Sequence, residues 1–159
     1  MKKLRYLVIA LVLIVDYVLK AYIRETMYAG QSFPVIKGIF SITYVQNRGA
    51  AFSIMEGQEM LLTLLPAAAL VIAVIYMEKL RHEHWTMLLA LQLIIAGGAG
   101  NLIDRVARGF VTDMFDFHFW PVFNIADIAI VTGCGFLILF MFKFDESAKK
   151  EKEEPADEA

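Results

Sequence analysis

The sequence predicts a membrane α-helical protein: a bundle of four transmembrane helices with a small extracytoplasmic β-subdomain. Three observations carry that prediction. Hydrophobic residues make up 58% of the 159 residues, charged ones only 20%, and mean hydropathy is +0.57, too apolar for an ordinary soluble domain of this length. Four stretches, 4–23, 60–77, 85–103 and 126–144, are each long enough as helices to cross about 30 Å of hydrocarbon. The connection between the first two alternates apolar and polar residues, as a half-buried strand does.

The first stretch follows Lys2, Lys3 and Arg5 and so resembles a signal peptide, but it contains Asp16 and Lys20 and lacks a small-x-small cleavage site. It reads as a retained helix. In the next connection, Phe40, Ile42 and Tyr44 alternate with Ser41 and Thr43, and Lys37-Gly38 supplies a turn after Ser32-Phe33-Pro34-Val35-Ile36. A β-rich segment over about residues 30–56 follows, with one apolar face on the membrane surface or on the bundle. The second and third stretches are joined by a short turn. After the fourth, residues 145–159 carry seven acids against three lysines. Such a composition predicts a disordered, charged cytoplasmic tail, and residues 1–144 form the membrane domain.

Lysine and arginine fix the orientation. Nine of them lie at the chain ends and in the 78–84 turn, against five (Arg24, Lys37, Arg48, Arg105 and Arg108) in the two longer connections. This bias places both termini in the cytoplasm. Cys134, the single cysteine, lies in an apolar run and reads as packing. No nucleic-acid partner is expected.

The polar residues of the spans gather at one level. Asp16 lies about 18 Å along a first helix entering near Leu4, past the midplane. Asn101, Asp104 and Arg105 end the third stretch on the same side, and Asn124 and Asp127 open the fourth. Charges at a membrane boundary are costly and usually functional. Asp113 and Asp127 flank a short aromatic segment there, which suggests a proteolytic carboxylate pair.

Each group also has a plainer reading. Asp16 and Lys20 stand i, i+4 and can form an ion pair, while Gly97, Gly98 and Gly100 suit close helix packing. Asn101, Asp104 and Arg105 can cap a helix end, and Asn47-Arg48-Gly49 can be a turn. His82 and His84 have no cysteine nearby, so no metal site is expected. His118, among Phe117, Phe119 and Trp120, reads first as part of an interfacial segment. A proton-coupled transporter using Asp16, Lys20, Asp104 and Asp127 is the competing function, but the inner halves of the four stretches are almost entirely apolar. A noncatalytic adaptor leaves the Asn/Asp set unexplained.

Five motifs in order then carry a resemblance. They are Asp16-x-x-x-Lys20, Asn47-x-Gly49-x-Ala51-Phe52, Gly97-Gly98-x-Gly100-Asn101-x-x-Asp104-Arg105, Val111-x-Asp113 and Phe123-Asn124-x-Ala126-Asp127. With these the chain resembles lipoprotein signal peptidase (signal peptidase II), the bacterial membrane aspartic endopeptidase, up to about Phe144. The resemblance implies a four-helix bundle with an extracytoplasmic β-cradle in the cytoplasmic (inner) membrane. It implies cleavage of diacylglyceryl-modified prolipoproteins just before the lipidated cysteine. Asp113 and Asp127 would be the catalytic dyad, with Asp16, Lys20, Asn47, Gly49, Asn101, Asp104, Arg105, Asn124 and Ala126 supporting the site or binding substrate. It further implies a monomer without cofactor, in contact with membrane lipid, whose site family inhibitors such as globomycin would occupy. Two departures stand out: Leu19 replaces the commoner Ser or Thr before the lysine, and the interval from Asp113 to Asp127 is short.

The chemistry of the residues agrees with that reading. Two neighbouring carboxylates cannot easily both ionise, so they share a proton. One can then activate water while the other donates to the scissile carbonyl. The chain has no G-x-S-x-G, and no histidine is placed to activate Ser53. Asp116 competes with Asp113 for the dyad and ranks below it on the family motif.

Overall fold

A computed structural model describes residues 6–49, 59–79 and 85–153. Its first helix, α1 (Leu7–Thr26), is polar inside and apolar outside. Asp16, Lys20 and Ile23 recur at the spacing of one helical face and are buried, whereas Ile14, Tyr17, Val18 and Tyr22 are exposed. Against hydrocarbon this arrangement puts the charged groups where other helices can pair them.

Three further helices follow: α2 (Glu59–Lys79), α3 (Trp85–Arg108) and α4 (Ile125–Glu153). Among the described residues, α2, α3 and the 125–142 part of α4 are long and apolar enough to cross a membrane. The sequence predicts four such spans. The charges on the buried face of α1 and Arg24 in its last turn keep it outside that class by composition. α4 also extends past the apolar stretch through Glu153, where disorder was expected from residue 145. Alanine, lysine and glutamate are strong helix formers and can prolong a helix into water.

α3 is the central helix, packed against α1, α2 and α4. Two glycines on it permit close approach just where the polar residues lie. A Cβ at Gly97 would run into the Ala126 carbonyl at the start of α4, and one at Gly100 would lie 2.7 Å from Asp16 Oδ2. Their small size therefore brings three helices together around one polar level.

Strands β1 (Ser32–Ile36), β2 (Phe40–Asn47) and β3 (Val111–Asp116) form an antiparallel sheet in that order. The first hairpin turns through Gly38 at φ 77°, and the Ile39 N–H donates to the Ile36 carbonyl at 3.0 Å. The sequence predicts no strand at 111–116, and the structure adds β3 there. Its pairing with β2 sets Val45 opposite Asp113 and Asn47 opposite Val111, after an irregularity between Ile42 and Val45. Tyr44 and Met114 pack on Ile23 and Met27 of the α1 end, so a shared apolar core fixes the sheet to the bundle. Leu19, Ile42 and Phe115 surround that core.

Several sequence-stretch expectations fall outside the described residues: the 50–56 part of the β-rich segment, with Ala51, Phe52 and Ser53, His82 and His84, the first residues of the first span, and residues 154–159.

Candidate active site

The site is assembled at the start of α4. Asn124, immediately before the helix, accepts the Asp127 backbone N–H at 3.0 Å through Oδ1, while Asp127 Oδ2 accepts the Asn124 N–H at 3.1 Å. This reciprocal pairing is a capping box, in which two otherwise unsatisfied helix-terminal donors are satisfied by the two side chains. The Ala126 N–H goes instead to Asp16 Oδ1 at 3.0 Å. A helix start thus binds two carboxylates with its first free amides, as its partial positive charge favours.

The side chain of Asn124 also faces the sheet. Its Nδ2 donates to Asp113 Oδ1 at 2.6 Å and to Asn101 Oδ1 at 3.1 Å, and lies 3.4 Å from the Thr112 carbonyl. Asn124 is fully buried, and Asp113 is 2% exposed. The other Asp113 oxygen accepts Asn47 Nδ2 at 2.9 Å, and Asn47 Oδ1 accepts the Gly49 N–H at 3.0 Å. Asp127 Oδ1 accepts Asn101 Nδ2 at 2.7 Å. Three asparagines therefore hold two carboxylates from β3 and α4.

Behind them lies a buried charge cluster. Lys20, 1% exposed, pairs with Asp16 at 2.8 Å and Asp104 at 3.4 Å and donates to Asn101 Oδ1 at 2.9 Å. Asp104 also pairs with Arg24 at 3.4 Å and Arg108 at 3.1 Å, and accepts the Thr112 N–H at 3.1 Å. Such a cluster is tolerable in a low-dielectric site because each charge is matched and hydrogen-bonded. Arg105 donates to the Gly49 carbonyl at 3.3 Å and feels the charges of both Asp113 and Asp127.

Burial pushes the Asp113 carboxyl up to about 7, and the neighbouring Asp127 charge adds to the rise against the amide bonds from Asn47 and Asn124. A carboxyl poised near neutrality beside a second one has the properties of an acid–base pair. Asp116 is engaged elsewhere: Thr43 donates to its Oδ2 at 2.8 Å and the His118 N–H to its Oδ1 at 2.8 Å. His118 reaches Ser41 at 3.2 Å through Nε2. These residues fasten the aromatic turn to the sheet.

Every polar residue singled out by sequence for the site joins this one network, with Gly49 and Ala126 contributing backbone groups. Thr112, Arg24 and Arg108 were missed. Thr112 accepts from Arg24 at 3.1 Å, and a signal for Arg24 exists: Asp16, Lys20 and Arg24 are successive i, i+4 positions on one face.

Comparison with known proteins connects this geometry to a family. The family described as signal peptidase (SPase) II matches residues 8–143. The chain belongs to the signal peptidase II family. A lipoprotein signal peptidase of Halothermothrix orenii is 41% identical, with 87% of this chain and 94% of the relative aligned. One of Desulfitobacterium hafniense is 43% identical over 91% of this chain and 97% of its own. A solved structure described as a bacterial membrane enzyme superposes with a TM-score of 0.82 at 30% identity, covering 99% of this chain and 94% of that one. Membership in the signal peptidase II family makes the chain a membrane-embedded protease.

Local packing accounts for Leu19 and for the segment between Asp113 and Asp127. Leu19 packs on the core where sheet meets bundle, so an apolar side chain fits there. The segment between Asp113 and Asp127 is closed by Phe123, whose N–H donates to the Phe115 carbonyl at 3.1 Å and whose carbonyl accepts the Phe115 N–H at 2.8 Å. Phe117 stacks on Phe123, with ring centres 6.0 Å apart and planes within 5°.

Proposed function

We propose that the protein removes signal peptides from diacylglyceryl-modified prolipoproteins, cutting just before the lipidated cysteine, with Asp113 and Asp127 activating water. The observation that carries the proposal is Asn124, which binds both aspartates, one through its side chain and one through its backbone. One carboxylate takes a proton from water as the oxygen attacks the scissile carbonyl carbon. The neutral partner protonates the carbonyl oxygen, and the tetrahedral intermediate collapses as the amine leaves with the first proton. Acid–base assistance of this kind is worth roughly 10²–10⁴-fold per group.

The acyl chains would anchor the substrate in the bilayer, each buried methylene contributing about 0.8 kcal/mol to that anchoring, and so confine its encounter with the dyad to the membrane boundary. An open groove of about 320 Å³ runs beside Arg105, with Arg48 at one wall and Met60, Leu62 and Leu64 of α2 at another. Its apolar wall and proximity to Arg105 suit an apolar substrate segment approaching the dyad. In this reading α1 crosses the bacterial cytoplasmic membrane as the fourth span, both termini are cytoplasmic, and the sheet forms an extracytoplasmic cradle. The enzyme acts as a monomer, and globomycin-type inhibitors occupy the site of the dyad.

The test is cleavage of one precursor with and without its diacylglyceryl group, followed by mass spectrometry of the product. Cleavage of the modified form alone, leaving cysteine at the new N-terminus, is expected. Equal cleavage of both forms, or a cut elsewhere, overturns the proposal.

A further inference from the structure

The two aspartates are held by similar numbers of hydrogen bonds but in different electrostatic settings. Among the described residues, Asp113 Oδ1 and Oδ2 accept side-chain amides, from Asn124 and Asn47, and the residue is 2% exposed on a strand. Asp127 is partly exposed and occupies the third position of a helix, where it accepts a backbone N–H at the positive end of the helix dipole. Loss of solvent therefore falls harder on a charge at Asp113 than on one at Asp127.

Asn101 adds a directional link. Its Oδ1 accepts from Lys20 Nζ at 2.9 Å and from Asn124 Nδ2 at 3.1 Å. Turning the amide over would set an NH2 group against an ammonium and against another amide NH2, so the orientation is determined by its neighbours. The Asn101 NH2 must then face Asp127, which it reaches at 2.7 Å. Lys20 thereby polarises a donor aimed at Asp127 and at no oxygen of Asp113.

We infer that the shared proton of the resting dyad resides on Asp113, that Asp127 is the ionised member, and that Lys20, acting through Asn101, is the positioning residue that establishes this division. The inference rests on the dyad reading of the function. Asp127 then takes the proton of the attacking water, and Asp113 donates its own to the carbonyl oxygen. On collapse, Asp127 passes its proton to the leaving amine and Asp113 recovers one from the hydroxyl, so both return to the starting state. The other charges facing the pair do not reverse the order. Arg105 faces both aspartates and, among the described residues, forms an ion pair with neither, its guanidinium donating to the Gly49 carbonyl. The Lys20 charge also favours ionised Asp113, but it ranks behind burial and the Asp127 charge, which oppose it, and Asp16 and Asp104 neutralise Lys20 on its far side.

Infrared difference spectra at pH 5 of the full-length enzyme, Asp113→Asn and Asp127→Asn test the proton's place. The carbonyl band of a neutral buried carboxyl is expected in wild type and Asp127→Asn and lost in Asp113→Asn; any other pattern overturns the assignment. Normal turnover by either variant would instead sink the dyad reading itself, whatever the spectra show. For Lys20→Gln, the acidic limb of the kcat/KM profile is expected to move up by about one pH unit. An unchanged limb in a folded variant removes Lys20 from the assignment, and if that variant does not fold, Asn101→Ser must show the same displacement.

Discussion

The side-chain amide of Asn124 lies 2.6 Å from the carboxylate of Asp113, joining a helix cap to a strand. The same residue receives and returns a hydrogen bond with Asp127. Helix capping and site assembly are thus one piece of geometry. Asn124→Ala should lose both. A lost cap costs about 1 kcal/mol and a buried partner left unsatisfied about 1–3 kcal/mol more. Thermal unfolding in detergent measures the stability loss, and cleavage should fall at least about 100-fold, in line with removal of a preorganised group. Wild-type turnover in this variant would show that the bridge is ornamental.

Asp113 should limit stability at neutral pH. Its folded carboxyl titrates at about 7 against 3.8 for an ordinary one, so the folded state binds more protons between those values. The raised value therefore costs nothing below about pH 4, and the cost grows until pH passes about 7. Asp113→Asn should accordingly be inactive yet more stable than wild type at pH 8, by up to about 4 kcal/mol. The gain should vanish near pH 4. Melting temperatures of the pair at both pH values decide it, and a difference independent of pH would contradict the account.

Activity should share that titration. If Asp113 serves as the neutral acid, kcat/KM declines as pH rises through about 7. A flat profile from pH 6 to 9 would argue against a neutral Asp113.

Gly100 leaves room for the Asp16 carboxylate, since an added Cβ would lie 2.7 Å from Oδ2. Gly100→Ala should push Asp16 from the Ala126 N–H and from Lys20, costing about 1–3 kcal/mol as overpacking does. Gly135 has no atom within 4 Å of an added Cβ, so Gly135→Ala serves as the control and should melt like wild type. Equal melting of all three proteins would refute the packing argument.

Much of this architecture is legible in the sequence because a bilayer makes its demands plainly. The apolar stretches that became α2, α3 and α4 announce themselves by length, β2 by the alternation of Phe40, Ile42 and Tyr44 with Ser41 and Thr43, and β1 by the Lys37-Gly38 turn that follows it. β3 is different. Its residues, Val111–Asp116, are buried at the first four positions, so Thr112 and Asp113 break the apolar pattern although both lie inside. Their burial is made possible by partners distant in sequence: Asp104 and Arg24 for Thr112, Asn47 and Asn124 for Asp113. Spacing along one chain segment cannot reveal such partners. Lys20 shows the same limit, since its i, i+4 relation to Asp16 predicts a pair, whereas its contacts with Asn101 and Asp104 arise only from the packing of α1 on α3.

The central claim is that two aspartates do the chemistry. Wild type, Asp113→Asn and Asp127→Asn, each shown to be folded by its melting transition, would be incubated in lipid with a diacylglyceryl-modified prolipoprotein, and signal-peptide release followed by gel shift. Asparagine preserves the size of each side chain but can act neither as a base nor as a carboxylic acid. Cleavage by wild type with both variants silent is the expected result; normal cleavage by either variant would contradict the account.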